Sequence, residues 1–131
     1  MFVKRDAVDP IDFVGLTILD YTAGLDTGSS FAVITVPPGG VHPPAWSRRS
    51  DKYYYVVAGE MDFTIDGECE RLLAGDFCVV LKGQTFSYAN AGPDEARLHL
   101  VHTPGFDPEA EIFVEDENPP GADVADAPPE H

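Results

Sequence analysis

The sequence contains few basic residues. Lys and Arg together number 8 against 23 Asp and Glu, which gives a formal net charge of -15. Because nucleic acids and anionic membranes are bound through clusters of Lys and Arg, this composition argues against both kinds of partner. Nine of the acidic side chains lie within residues 105–131, which hold no Lys or Arg. The net charge therefore describes in part the C-terminal segment and not the body of the chain.

Cysteine and long apolar runs are also scarce. The two cysteines, Cys69 and Cys78, are too few for a disulfide framework and lack the C-x-x-C spacing of many zinc sites. No apolar run approaches the roughly 20 residues that a membrane-spanning helix needs, and residues 1–6 have no apolar signal region. We therefore expect two free thiols and a cytoplasmic protein.

Turn-forming residues are abundant, with 12 Gly and 12 Pro among 131 residues, a length that fits one domain. Between the turns lie short apolar and aromatic runs, several of which alternate with a period of two, as in Met61, Phe63 and Ile65. The predicted strands are Leu16–Tyr21, Phe31–Val36, Tyr53–Val57, Met61–Ile65, Cys69–Leu73, Phe77–Leu81, Thr85–Ala89 and Arg97–Val101. Eight short strands at this spacing predict an all-β barrel or jelly roll.

The C-terminal part has a different character. Asp107 followed by Pro108 is typical of the start of a helix, so we predict a short helical turn there. From residue 115 onward the chain is acidic and rich in Pro. We therefore predict one domain over residues 1–114 and a solvated, mobile tail over residues 115–131.

Two spaced motifs carry a family resemblance. The first runs Gly39, Ala45, Ser47, Lys52, Gly59, and the second runs Gly75, Leu81, Gly83, Phe86, Asn90. Both keep, without a gap, the spacing of the motifs G-x5-H-x-H-x4-E-x6-G and G-x5-P-x-G-x2-H-x3-N. Residues 30–105 thus resemble the cupins. The resemblance implies a double-stranded β-helix, which is a jelly-roll barrel, and a family tendency to form homodimers.

The departures from the motifs bear on function. In cupins that bind a transition metal, two His, one Glu and a second-motif His are the ligands, and here those positions hold Ala45, Ser47, Lys52 and Phe86. Ala and Phe cannot coordinate, and a Lys ammonium repels a divalent ion. His99 and His102 are three apart on a predicted strand, so they should face opposite sides and not chelate one ion. We therefore expect neither a metal nor another cofactor.

Strand parity predicts what occupies the cavity instead. The motif positions point inward in the family, and parity adds Tyr54 beside Lys52, and Tyr88 beside Phe86. A hairpin at Ala58-Gly59 would place Met61 and Phe63 on the face of Tyr54 and Val56. The predicted pocket is aromatic and apolar, with a local positive charge from Lys52 and from Arg48 and Arg49 nearby, and suits a small organic molecule.

The loop before Ala45 holds a candidate base. An imidazole, whose ordinary pKa is near 6.5, suits general acid–base catalysis, and His42 lies close to the predicted cavity mouth. The stretch from His42 to Gly59 resembles the small metal-free cupin dehydratases that remove water from a uridine 5′-aldehyde in uridyl-peptide antibiotic biosynthesis. That resemblance implies His42 as base, Tyr54 and Tyr88 as active-site tyrosines, and Glu109 as a site carboxylate. A lysine of those enzymes has no counterpart, because residues 13–16 read Phe-Val-Gly-Leu.

The leading hypothesis is a metal-independent cupin enzyme of specialised metabolism that removes a proton next to a carbonyl, whether for dehydration, isomerisation or cyclisation. The predicted catalytic residues are His42, Lys52, Tyr54 and Tyr88. The predicted substrate-binding residues are Trp46, Ser47, Arg49, Met61, Phe63, Phe86, His99 and Glu109. Two alternatives stay open: a cupin that binds a small molecule without transforming it, and a metal-dependent cupin oxygenase with atypical ligands.

Overall fold

A computed structural model describes residues 1–114, and the predicted tail over residues 115–131 lies outside the described part. The strands are β1 (Ile11–Phe13), β2 (Leu16–Asp20), β3 (Ser30–Val36), β4 (Val41–Ser47), β5 (Asp51–Ala58), β6 (Glu60–Ile65), β7 (Glu68–Leu73), β8 (Phe77–Val80), β9 (Phe86–Ala89), β10 (Ala96–Thr103) and β11 (Glu111–Phe113). Single 3-10 turns lie at Arg5–Ala7 and Pro108–Ala110. All eight predicted strands are present, and β1, β4 and β11 are additional.

The strands form two antiparallel sheets. A six-stranded sheet has the order β1-β2-β3-β10-β5-β8, and a five-stranded sheet has the order β11-β4-β9-β6-β7. Several neighbours in each sheet come from distant parts of the sequence, as in β3 beside β10 and β4 beside β9, which is typical of a jelly roll. The all-β prediction is therefore confirmed, and the two inner faces enclose the core.

Alternation along the strands decides which side chains face the core. On β5 the inward positions are Lys52, Tyr54 and Val56, and all three are buried while their neighbours are more exposed. On β10 the buried positions include Leu98, Leu100 and His102. The register pairs Leu100 with Tyr54 and His102 with Lys52. The motif position 52 and the inner face of β10 thus meet inside the barrel.

The turn at Ala58-Gly59 differs from the predicted hairpin. β5 lies in the six-stranded sheet and β6 in the other, so the chain crosses here from one sheet to the next. Gly59 has a φ of 80°, and a Cβ at this position would lie 2.8 Å from Cα of Ala96. Only glycine fits this close approach. Met61 and Phe63 are nevertheless buried, as the face assignment predicted.

β4 is a strand in spite of two consecutive prolines. It pairs with β11 on one side and β9 on the other, and its register with β9 shifts between His42 and Ala45. His42 pairs with Tyr88, and Ala45 with Phe86, so three steps on β4 oppose two on β9. The extra residue forms a β-bulge at Pro43 and Pro44, which lack a backbone N–H for the ladder.

The predicted C-terminal turn is present. The Asp107 side chain accepts a hydrogen bond of 3.0 Å from the backbone N–H of Glu109, as an N-cap residue does. After this turn the chain enters β11, which pairs with β4 at the edge of the five-stranded sheet. Over residues 1–114, none of the helical segments has the length and hydropathy to cross a membrane.

Candidate functional site

A cavity of about 390 Å³ opens between the two sheets. It is mainly apolar, with residues from β1, β2, β3, β4, β5, β9, β10 and β11 on its walls. All four predicted catalytic residues line it: His42, Lys52, Tyr54 and Tyr88. Apolar walls with a few converging polar groups are typical of a site for a small molecule.

His42 lies among aromatic rings. Its ring centroid is 4.8 Å from that of Phe86, 5.1 Å from Tyr88 and 5.2 Å from Phe13. Its Nδ1 lies 2.7 Å from the carbonyl oxygen of Pro43. A carbonyl can only accept, so Nδ1 carries the proton and donates, and Nε2 keeps its lone pair. The β-bulge at Pro43 thus fixes the tautomer in which Nε2 can act as a base.

The surroundings of His42 also determine its charge. Desolvation, together with the nearby Lys52 ammonium, lowers its pKa to about 4 against the opposing effect of the hydrogen bond to Pro43. His42 is therefore neutral at pH 7. A neutral imidazole can accept a proton, although a low pKa makes it a weak base until a negative charge forms beside it.

Lys52 forms a buried polar cluster with two residues from other strands. Its Nζ donates to Oε1 of Glu111 at 2.7 Å and lies 2.8 Å from Nε2 of His102. Lys52, His102 and Glu111 are 3%, 5% and 8% exposed. Burial lowers the pKa of Lys52 against the pull of Glu111, and burial lowers the pKa of His102 to about 3. Neutral His102 therefore accepts from Lys52 through Nε2.

Two buried polar atoms at the cavity have no hydrogen-bond partner among the described residues. They are the Tyr88 hydroxyl and Oε2 of Glu111. Burial raises the pKa of both Tyr54 and Tyr88, so both hydroxyls stay protonated and can donate. Because unsatisfied buried polar groups are costly, a bound molecule with its own donors and acceptors would stabilise this site.

The charge of the cavity differs from the prediction. Lys52 is offset by Glu111, and Asp12 and Asp20 add two carboxylates to the walls. Arg48 and Arg49 are exposed and do not line the cavity. The expectation of a locally cationic pocket is therefore wrong, and the lining carries a formal excess of negative charge.

The residues at the family's metal-ligand positions do not fit a transition metal. Ala45, Ser47, Lys52 and Phe86 are all buried as the motif alignment implies. Ser47 accepts from the backbone N–H groups of Arg49 and Ser50, and Lys52 presents an ammonium paired with Glu111. Within residues 1–114, no group of three or more His, Cys, Asp or Glu is arranged to hold a metal ion.

Several predicted substrate-binding residues lie outside the cavity walls. Met61, Phe63 and Phe86 are buried in the core, where Phe63 packs 5.0 Å from Tyr54 and 4.9 Å from Tyr88. These three side chains lie in the core behind the residues that line the cavity. Ser47 caps a backbone turn, Trp46 lies under Arg48, and Arg49 donates to the carbonyl of Gly105. None of the six lines the cavity.

The cavity is lined by His102 and Glu111 and not by the predicted His99 and Glu109. His99 points to the outer face of β10, where its ring centroid lies 5.4 Å from that of Phe31. Glu109 is exposed in the 3-10 turn. The expected opposite orientation of His99 and His102 is confirmed, and parity with Leu98 and Leu100 could have identified His102. Glu111 had no sequence signal beyond its place before two apolar residues.

Neutral His42 and His102 predict a loss of stability in mild acid. Their pKa values are near 6.5 in the unfolded chain but about 4 and about 3 in the fold. As pH falls below 6.5 the unfolded chain gains protons that the fold does not, so stability falls with pH. We expect Tm to be lower at pH 5.0 than at pH 7.5, with a smaller drop in His42→Gln. Equal Tm values at both pH values would contradict the burial of neutral histidines.

Comparison with protein-family models now identifies the fold. A model described as a cupin domain matches residues 32–102, more than half of the chain. The chain belongs to the cupin family. The resemblance expected from the glycine spacing is therefore confirmed, and with it the cupin form of the jelly roll.

Solved cupins share this fold. Pac13, described as a unique nucleoside dehydratase, superposes with a TM-score of 0.77 at 20% identity, over 88% of this chain and 91% of that one. KdgF from Halomonas gives 0.69 at 24% identity, over 79% and 94%. A predicted oxalate decarboxylase from Thermotoga maritima gives 0.70 at 20% identity, over 79% and 98%. Streptomyces Pac13 variants were solved with uridine.

A curated relative shares sequence with this cupin over a limited region. It is the endoribonuclease YbeY of Myxococcus xanthus, which is 30% identical over 98 residues. The match covers 75% of this chain but 31% of that protein. The chain thus spans about a third of the relative's length.

Proposed function

We propose that this cupin is a metal-independent enzyme that removes a proton next to the carbonyl group of a small organic molecule, with a dehydratase as the favoured type. The observation that carries the proposal is His42. Its Nδ1–H is held by Pro43, so Nε2 is left as the base inside a mainly apolar cavity. Proton transfer by a positioned side chain typically contributes about 10²- to 10⁴-fold in rate.

Proton removal places negative charge on the enolate oxygen, and hydrogen-bond donors nearby would stabilise it. Tyr54 and Tyr88 line the same cavity with protonated hydroxyls, and Lys52 adds an ammonium. The Tyr88 hydroxyl has no partner among residues 1–114, so it is free to donate to an enolate oxygen. Each such donor is worth roughly 3 kcal/mol of transition-state stabilisation. The developing negative charge would also raise the pKa of His42 as it takes the proton.

Pac13 suggests a substrate class to test first. It is described as a nucleoside dehydratase, and its variants were solved with uridine. A uridine 5′-aldehyde has a proton next to its carbonyl and a hydroxyl one carbon further, so base-promoted loss of water is direct. In this chain Phe13 lines the cavity and contacts His42, so this part of the wall is apolar. Because Phe13 offers a substrate no charged contact, neutral carbonyl compounds besides nucleosides belong in the assay.

The charge of the lining predicts preference for an uncharged ligand. Asp12, Asp20 and Glu111 outnumber the single ammonium of Lys52. A phosphate group would be repelled at this short range. We expect uridine to bind at least about tenfold more tightly than uridine 5′-monophosphate, by calorimetry at low ionic strength. The difference in affinity between the two ligands should be smaller in Asp12→Asn. Tighter binding of the monophosphate than of uridine would show that the charge of the lining does not select the ligand.

The decisive assay follows uridine 5′-aldehyde and glyceraldehyde in D₂O by NMR. We expect deuterium exchange at the carbon next to the carbonyl, followed by release of water, at a rate that depends on protein concentration. Binding without exchange or dehydration would instead favour a cupin that holds a small molecule unchanged. Neither binding nor exchange with any carbonyl compound would reject the proposed function.

A further inference from the structure

Lys52, Glu111 and His102 form a buried cluster in which one amine contacts two proton acceptors. Lys52 Nζ lies within hydrogen-bond distance of two acceptors, Oε1 of Glu111 at 2.7 Å and Nε2 of His102 at 2.8 Å. All three residues line the cavity. Two of the three Nζ protons are thus directed to protein acceptors. The remaining tetrahedral position of Nζ has no hydrogen-bond partner among the described residues, and the Phe86 ring centroid lies 5.4 Å from Nζ.

We infer that Lys52 reacts covalently with a carbonyl ligand to form a protonated imine. The inference deepens the proposed function on which it rests, because an iminium withdraws electrons from the adjacent C–H bond that His42 would deprotonate. The ligand class is an aldehyde or ketone small enough for a cavity of about 390 Å³. The geometry, with a buried amine between two proton acceptors in a mainly apolar cavity, is that of an activated nucleophile.

The Glu111 carboxylate can receive the proton that must leave Lys52. Its Oε1 already accepts from Nζ, while its buried Oε2 has no partner among residues 1–114. The proton passes along the hydrogen bond from Nζ to the Glu111 carboxylate. Rotation about the Cε–Nζ bond then turns the lone pair of the neutral amine toward the position left for the ligand.

The reaction balances without any co-reactant. The Nζ lone pair forms a bond to the carbonyl carbon, and the C=O electron pair moves to the oxygen. This oxygen takes a proton from the attacking nitrogen, which gives a neutral carbinolamine. The Glu111 carboxyl group then protonates this hydroxyl, the C–O bond breaks, and water leaves. In total, R₂C=O and the Lys52 ammonium give R₂C=NH⁺–Lys52 and one water molecule, with no change in proton number.

The environment of Lys52 favours its reaction as a nucleophile. An exposed lysine, with a pKa of about 10.4, is neutral in fewer than about one in 1,000 molecules at pH 7. Burial lowers the pKa of Lys52, so its neutral fraction is greater. Lys4 and Lys82, the other two lysines of the chain, are both exposed and serve as internal controls.

The test is reductive trapping of the full chain at pH 7 with glycolaldehyde and sodium cyanoborohydride, read by peptide mass spectrometry. We expect Lys52 to be modified at least tenfold faster than Lys4 and Lys82. Glu111→Gln, which keeps size but cannot carry the proton, should reduce the Lys52 rate at least tenfold, and Glu109→Gln should leave it unchanged. Modification of Lys52 no faster than that of the exposed lysines would overturn the inference, whatever the variants show.

His42→Gln separates this inference from the proposed function. We expect it to keep the Lys52 adduct within about twofold of the wild type while it loses deuterium exchange. If no Lys52 adduct forms but His42-dependent exchange persists, the imine is wrong and the base assignment stands. If the adduct forms without exchange in the wild type, Lys52 is a carbonyl trap and the proposed deprotonation is wrong.

Discussion

Replacing His42 by Gln should lower the initial rate of deuterium exchange on a carbonyl substrate by at least about 100-fold. The Gln side chain can still donate to Pro43 but cannot accept a proton in place of Nε2. Because His42 is only half-buried and its hydrogen bond to Pro43 is local, the fold should persist. The rate is measured by NMR in D₂O at pH 7 under saturating substrate.

His99→Gln is the matched control for this substitution. It makes the same chemical change on the outer face of β10, away from the cavity. We expect its exchange rate to stay within about twofold of the wild type. A His42→Gln variant that exchanges as fast as His99→Gln would show that another group takes the proton.

Replacing Lys52 by Met should destabilise the protein by about 3–5 kcal/mol. The substitution removes a charge that is almost fully buried and leaves the Glu111 carboxylate without its ammonium partner in the interior. Urea titrations of the two proteins would measure the change in the free energy of unfolding, with the same dependence on urea concentration expected for both. The double substitution Lys52→Met with Glu111→Leu should recover most of the loss, since neither charge then remains buried.

An exposed ion pair provides the comparison. Arg71 contacts Asp62 at 2.8 Å and Glu60 at 3.5 Å on the surface of β6 and β7. Solvent screens exposed pairs of this kind, so Arg71→Met should cost little stability. If Lys52→Met costs no more than Arg71→Met, the interior pair is not desolvated as the structure indicates.

The sequence predicted the fold well because local patterns carry it. Alternation identified eight strands, and the two motif spacings predicted the cupin barrel and the inward positions of Lys52 and Phe86. β4 was not predicted as a strand because Pro43 and Pro44 ordinarily exclude a central strand. The bulge that accommodates them depends on the register between β4 and β9, which local sequence does not reveal.

The candidate site was predictable only in part, for a similar reason. Tyr54 and Tyr88 follow from parity on strands that were recognised, and the structure brings both to the cavity. Glu111 lies 59 residues from Lys52 on a three-residue strand that was not recognised, so their contact could not be inferred from spacing. The pairing of these two residues also explains why the expected positive charge is absent from the pocket.

The most direct test of the central claim is deuterium exchange on a carbonyl substrate by protein treated with a strong chelator and then freed of it. We expect the chelated protein to exchange at the rate of the untreated protein, because His42 Nε2 and the donors Tyr54 and Tyr88 are all supplied by the chain. Loss of exchange on chelation, with recovery on adding a divalent metal, would contradict a metal-independent site.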